Sequence, residues 1–218
     1  MLAFFSKAQS VKTLQFSFSC GSTKLNINDS LIQLNDSNDL QIKALKFYVS
    51  NIQFLKNGKV ALEEKNSSHL VDVSDAKSFQ ISIENKKNIE FDELKFDLGI
   101  DSTTNVSGAM GGDLDPTKGM YWAWQSGYIN FKLEGTSKVC NTRNNEFQFH
   151  LGGYLQPNYC LQTLSFPLVN QGEINIDLDV RKIFEQIDLA KTNHIMSPSA
   201  EAVLISKIAA NAFTLLKN

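Results

Sequence analysis

Strict alternation of apolar and polar residues constrains this chain more than any other feature. Leu14, Phe16, Phe18 and Cys20 alternate with Gln15, Ser17 and Ser19. Leu94, Phe96, Leu98 and Ile100 do the same with Lys95, Asp97 and Gly99, and Ile129, Phe131 and Leu133 with Tyr128, Asn130 and Lys132. Phe147, Phe149 and Leu151 share a face that leaves Gln148 and His150 on the other. A period of two is that of a strand with one buried face. Further strands are expected at residues 45–54, with a change of face near Ser50-Asn51, and beyond the Asn57-Gly58 hairpin signal at 59–63, 69–73 and 79–83. Residues 161–168 and 173–180 complete the set. Short strands separated by Asn, Asp, Gly and Ser turns predict an all-β fold, an antiparallel β-sandwich. Only the end of the chain reads differently. Ser197-Pro198 suits a helix start, and Ala200, Leu204, Ile208, Ala212 and Leu215 recur at helical spacing, which predicts a C-terminal α-helix.

Fifteen phenylalanines and 42% hydrophobic residues fill a core of that kind, so the chain is expected to be one domain over residues 13–218. Residues 1–12 are expected to be a signal-peptide remnant or a disordered N-terminus, because Leu2-Ala3-Phe4-Phe5 resembles the stub of a secretory signal without its basic start. An exported protein is the corresponding expectation. With 21 basic and 23 acidic residues, the chain lacks the basic excess of a nucleic-acid partner. No apolar run reaches the ~18 residues of a membrane span. Cys140 and Cys160 could pair in an oxidising space, leaving Cys20 over, or all three could be buried thiols.

The turn residues concentrate in one stretch, 108–135, where a loop of four glycines, two aspartates and a proline leads into Tyr121-Trp122-Ala123-Trp124. Both tryptophans of the protein are here, and an extended backbone would place them on one face. They can be core aromatics, a ligand- or carbohydrate-stacking face with Tyr128, or rings close enough to pass an electron. Asp113 and Asp115, with Asp97 and Asp101 upstream, offer oxygens for calcium, or simply Asx-turns. Of the three histidines, His150 projects away from the Phe147/Phe149 face. His194 lies two residues from Met196, an imidazole and thioether pair that suits copper, and His69 begins a strand with no evident partner. There is no nucleophile elbow, zinc-protease helix or phosphate loop, so the chain is expected not to be an enzyme.

Several of these segments together resemble the MbnP family. They are Leu45-Lys46-Phe47-Tyr48-Val49-Ser50-Asn51-Ile52, His69-Leu70-Val71-Asp72, Leu94 to Asp101, and Phe149-His150-Leu151-Gly152-Gly153. The longest is the run from Gly112-Asp113-Leu114-Asp115-Pro116 through Gly119-Met120-Tyr121-Trp122-Ala123-Trp124-Gln125-Ser126-Gly127-Tyr128. The resemblance implies a copper-binding protein of the periplasm or cell envelope, serving copper acquisition or storage. It also implies that a tryptophan, here Trp122 or Trp124, is oxidised to kynurenine by a partner di-haem peroxidase of the MauG type. The implied ligands are then that residue with His150 and His194, and His69 in reserve. Kynurenine offers an aryl amine lone pair, whereas an indole nitrogen only donates.

Overall fold

A computed structural model describes residues 10–25, 27, 32–35, 38–85, 89–125, 127–168 and 173–216. Of the expected signal remnant or disordered N-terminus at 1–12, residues 1–9 lie outside the described residues, and residues 10–12 already belong to the first strand, which begins at Ser10. The strands are β1 (Ser10–Cys20), β2 (Thr23–Lys24), β3 (Ile32–Asn35), β4 (Asn38–Lys56), β5 (Lys59–Glu63), β6 (Ser68–Asp72), β7 (Gln80–Asn85), β8 (Glu93–Leu98), β9 (Tyr121–Trp122), β10 (Gly127–Ser137), β11 (Glu146–Gly152), β12 (Gln162–Pro167), β13 (Ile174–Asp179), β14 (His194–Ile195) and β15 (Phe213–Leu215). The α-helices are α1 (Ser102–Val106), α2 (Val180–Phe184) and α3 (Ala200–Asn211).

Among the described residues, one sheet runs β15-β13-β1-β2, with β7 on the other side of β1, and a larger one runs β12-β8-β4-β10-β11-β14. Most pairs are antiparallel, as expected. Two are parallel: β1 with β13 and β11 with β14. The second of these matters for the site. The sheets pack through the alternating apolar residues. Phe47 of β4 meets Phe16 of β1 edge-on at 5.7 Å and Phe213 of β15 at 5.2 Å, offset from face-to-face as ring quadrupoles prefer.

Strand β4, 19 residues long, touches both faces of the design. It changes face where expected: its register against β8 shifts between Ser50 and Gln53, and Asn51 has φ 50°. The amide of Asn51 donates to Asp97 Oδ2 and so anchors the bulge. Asx side chains tolerate this left-handed conformation better than others.

The chain end departs from the simple helix predicted by periodicity. Ser199, not Ser197, caps α3, accepting from the backbone of Ala202. The buried stripe is Ala202, Ile205, Ser206, Ile208 and Ala209, while Leu204 is exposed. After Asn211 the chain becomes β15 and adds Phe213 to the core. All three cysteines are buried and free, so the Cys140–Cys160 bridge does not form. Burial pushes the Cys160 thiol up to about 11, which leaves it protonated and unreactive.

Candidate metal centre

The glycine-rich stretch lies across the outer face of the larger sheet and builds a second apolar cluster there. Tyr48, Leu70, Ile100, Leu114, Met120, Trp122, Tyr128 and Ile129 form it, apart from the core between the sheets. Tyr128 is its pivot. The phenol accepts from the backbone of Met110 and donates toward the carbonyls of Gly108 and Leu114. Tyr48 meets it edge-on at 5.8 Å and donates to the carbonyl of Asp113. Asn105 closes the other side: its amide donates to Ile100 and Asp101, and its oxygen accepts from the backbone of Tyr128.

The aspartates thought of for calcium are spent in this scaffold. Asp113 accepts from the backbone of Leu70 and pairs with Lys118 at 2.6 Å. Asp115 and Asp101 cap the turns that follow them, and Asp97 takes Asn51 and Thr163. Their oxygens do not converge, and calcium has no support.

The two tryptophans do not share a face. Only Tyr121 and Trp122 are extended, and the turn after them sends Trp124 outward. Trp122 is 5% exposed and Trp124 67%, with ring centroids 5.9 Å apart. With Tyr128 at 1% exposure, the three rings form no open stacking platform. The carbohydrate-binding reading loses its surface.

The histidines sort by strand register. On β10 and β11, Lys132 pairs with His150 and Glu134 with Gln148. Gln148 in turn pairs with His194 across the parallel β11–β14 seam. Paired residues share a face, and so do residues two apart on a strand. His150 and His194 are therefore diagonal neighbours on the outer face. Gly152, two residues beyond His150, is on that face too. A Cβ added to it would stand 2.8 Å from Cζ3 and 3.0 Å from Cη2 of Trp122. The glycine lets the indole lie against the strand two residues along from His150. His69 is elsewhere. It pairs with Val49, a residue of the core between the sheets, so it faces away from this site, and its Nε2 bonds Glu64 at 2.8 Å.

His150 is 7% exposed, and its Nε2 lies 2.5 Å from Glu134 Oε1. That bond, with Lys132 at 3.3 Å, holds the Glu134 carboxyl down to about 2. An ionised carboxylate only accepts, so Nε2 carries a proton, and it is the neutral form of the ring that presents a lone pair at Nδ1. Nδ1 is buried with no partner, as is Nε1 of Trp122. A buried polar atom left bare costs about 1–3 kcal/mol, and two of them on one sheet face require a reason. A carboxylate holding one imidazole nitrogen while the other is presented bare is the arrangement that supports a metal-binding histidine. Among the described residues no three of His, Cys, Asp and Glu converge, so a metal here would need donors of another kind beside the imidazoles.

The Glu134 carboxyl is depressed in the fold, so its contribution to stability is present above about pH 4.5 and lost as pH falls toward about 2. Acid titration followed by circular dichroism should show that loss, and Glu134→Gln should flatten the profile over the same range.

The MbnP family model matches residues 8–197. The chain belongs to the MbnP family. The solved structure of MbnP from Methylosinus trichosporium superposes on this MbnP-family chain with a TM-score of 0.65 at 14% identity, covering 90% of this chain and 87% of that one. At that identity the likeness shows the fold. No curated protein matches the chain. Within the family's fold, sequence reasoning singled out His150 and His194 and missed Glu134. The signal for Glu134 was its spacing on the predicted strand after Trp124, opposite the His150 strand, and no sequence pattern states which strands pair.

Proposed function

We propose that this MbnP-family chain is an exported copper-binding protein, not an enzyme, that takes up or stores copper at the outer face of its larger sheet. One observation carries the reading. His150 offers a buried, unpartnered Nδ1 whose ring is fixed by Glu134, on the strand that Trp122 packs against and on the same face as His194. The name of the structural relative attributes no ligand, so copper rests on the family resemblance and on the donor chemistry: imidazoles without converging carboxylates favour copper or zinc over harder ions. Among the described residues no helix is long and apolar enough to cross a membrane.

Bound copper would supply a redox-active or cargo ion, and the residues would hold it. His150 gives Nδ1, Glu134 fixes the tautomer, and His194 closes from the neighbouring strand. The finer step is oxidation of a tryptophan by a partner di-haem peroxidase of the MauG type. Trp122 is the supported choice, since it is buried against Gly152 on the strand of His150 while Trp124 points to solvent. With peroxide as the oxidant, the peroxidase would cleave the indole ring to N-formylkynurenine, and hydrolysis would release the formyl carbon as formate, a net loss of one carbon and gain of one oxygen that exposes an aryl amine.

Purified chain, alone and after co-expression with the peroxidase, should bind one copper in a titration. Intact mass and peptide mapping should place the loss of carbon and gain of oxygen at residue 122 only in the co-expressed sample. Failure of both samples to bind copper overturns the proposal.

A further inference from the structure

Trp124 forgoes most of the burial that so large an apolar ring offers, since it is left 67% exposed. The turn that sends it outward is held by the backbone of Gln125, which donates to the carbonyl of Trp122 at 3.3 Å. The same turn keeps the two indoles paired, with centroids 5.9 Å apart and planes tilted by 46°. Among the described residues this is the one ring contact that Trp122 makes. Tyr128 pairs with Tyr121 at 4.9 Å and with Tyr48 at 5.8 Å, but neither pair includes Trp122. Trp122 itself is 5% exposed, its six-membered ring against Gly152. The buried indole therefore reaches solvent through one exposed ring.

The surface around that ring is apolar. Val106 and Leu155 are 72% and 63% exposed, and the segments that carry them meet the Trp124 turn at Gly127. A Cβ on Gly127 would stand 3.1 Å from the Tyr154 ring and 3.6 Å from Oδ1 of Asn105. Ser102, on the helix of Val106, donates to the carbonyl of Tyr154. Exposed apolar side chains grouped in this way, a tryptophan among them, are the makings of a protein interface.

We propose that Trp124 is the electron exit for Trp122, a relay through which a haem protein docked over Trp124, Val106 and Leu155 oxidises the buried indole without touching it. This rests on the peroxidase reading above and adds the residue and the surface by which that partner acts. A haem enclosed in its own protein cannot reach a ring that is 5% exposed. Electron transfer slows steeply with distance, and an easily oxidised indole at the surface divides one long transfer into two short ones. The balance closes. Conversion of Trp122 to N-formylkynurenine releases four electrons and four protons and takes its two new oxygens from water. At the partner's haem, two molecules of peroxide accept those electrons and protons and become four of water. Trp124 is oxidised and re-reduced at each transfer and ends unchanged.

Two arms test this on the full chain, with thermal melts to show that each variant is folded. In the first, flash-generated tris(bipyridine)ruthenium(III) serves as a one-electron oxidant, and peptide mapping reads the product at residue 122. Trp124→Phe should lower that yield about tenfold or more, and Trp124→Tyr, which restores an oxidisable ring, should recover part of it. Leu204→Ala, at an exposed position on α3, should change nothing. In the second, the peroxide-charged peroxidase is the oxidant. Trp124→Phe should lower the limiting rate at saturating protein by a similar factor with the half-saturating concentration unchanged, and Leu155→Asp should raise the half-saturating concentration. A Trp124→Phe yield equal to wild type in the ruthenium arm overturns the relay. So does a Trp124→Phe change confined to the half-saturating concentration, which would make the ring a docking contact only. No effect of Leu155→Asp overturns the docking surface. No oxidation of the wild-type chain by the peroxidase removes the peroxidase reading, and the ruthenium arm then decides the relay alone.

Discussion

His150→Ala should weaken copper binding by on the order of a hundredfold or more. Losing an outer partner of a metal-bound histidine costs about 10–100-fold, and the ligand itself should cost at least the upper end. The same substitution should leave the protein folded. The imidazole makes one hydrogen bond, to Glu134, and Lys132 remains to satisfy that carboxylate at 3.3 Å. A copper titration beside a thermal melt separates the two effects. His69→Ala is the matched control: that ring faces away from the site and bonds Glu64, so copper affinity should be unchanged. If His69→Ala were the variant that lost copper, the site would be on the wrong face of the sheet.

Gly152→Ala should be among the most damaging single substitutions in the chain. The added methyl would stand 2.6 Å from the backbone oxygen of Tyr128 and 2.8 Å from the Trp122 ring. No rotamer relieves a clash with backbone, so strands β10 and β11 would have to separate or the indole would have to leave. Overpacking of this kind costs about 1–3 kcal/mol and more where backbone must move, so a loss of about 3 kcal/mol is expected, or a fall in Tm of roughly 6–12 °C for a chain of this size. The indole fluorescence should shift as Trp122 is displaced. Gly111→Ala, where nothing lies within 4 Å of the added Cβ, should change neither readout.

Much of the fold could be read from the residues because burial writes itself into a period of two. The four alternating stretches are β1, β8, β10 and β11, and the predicted bend at Ser50-Asn51 is the bulge in β4. What failed had a local pattern overruled by tertiary packing. Ala212 and Leu215 continue a helical spacing, yet β13 has a free edge, and the residues after Asn211 gain more by pairing with it than by another turn of helix. The Trp122-Ala123-Trp124 pattern suggested one face because two-residue spacing does so in a strand, but the strand stops at Trp122. The calcium possibility failed because short acidic side chains in a glycine-rich loop bond their own backbone first.

The site was half legible. His150 stood out as the polar residue on an apolar strand, and His194 with Met196 as a soft-donor pair. What joins them is the parallel seam between β11 and β14, made by residues more than forty positions apart. No periodicity encodes such a pairing, which is set by where α2 and the turn after it deliver the chain. Glu134 was hidden for the same reason. Its role exists only once β10 lies beside β11.

Anomalous diffraction at the copper edge from crystals of the copper-loaded protein tests the central claim most directly. A single peak at about 2 Å from Nδ1 of His150, the usual reach of a metal–imidazole bond, with His194 turned toward it, is the predicted result. A fully occupied copper elsewhere, with Nδ1 of His150 still bare, would contradict it.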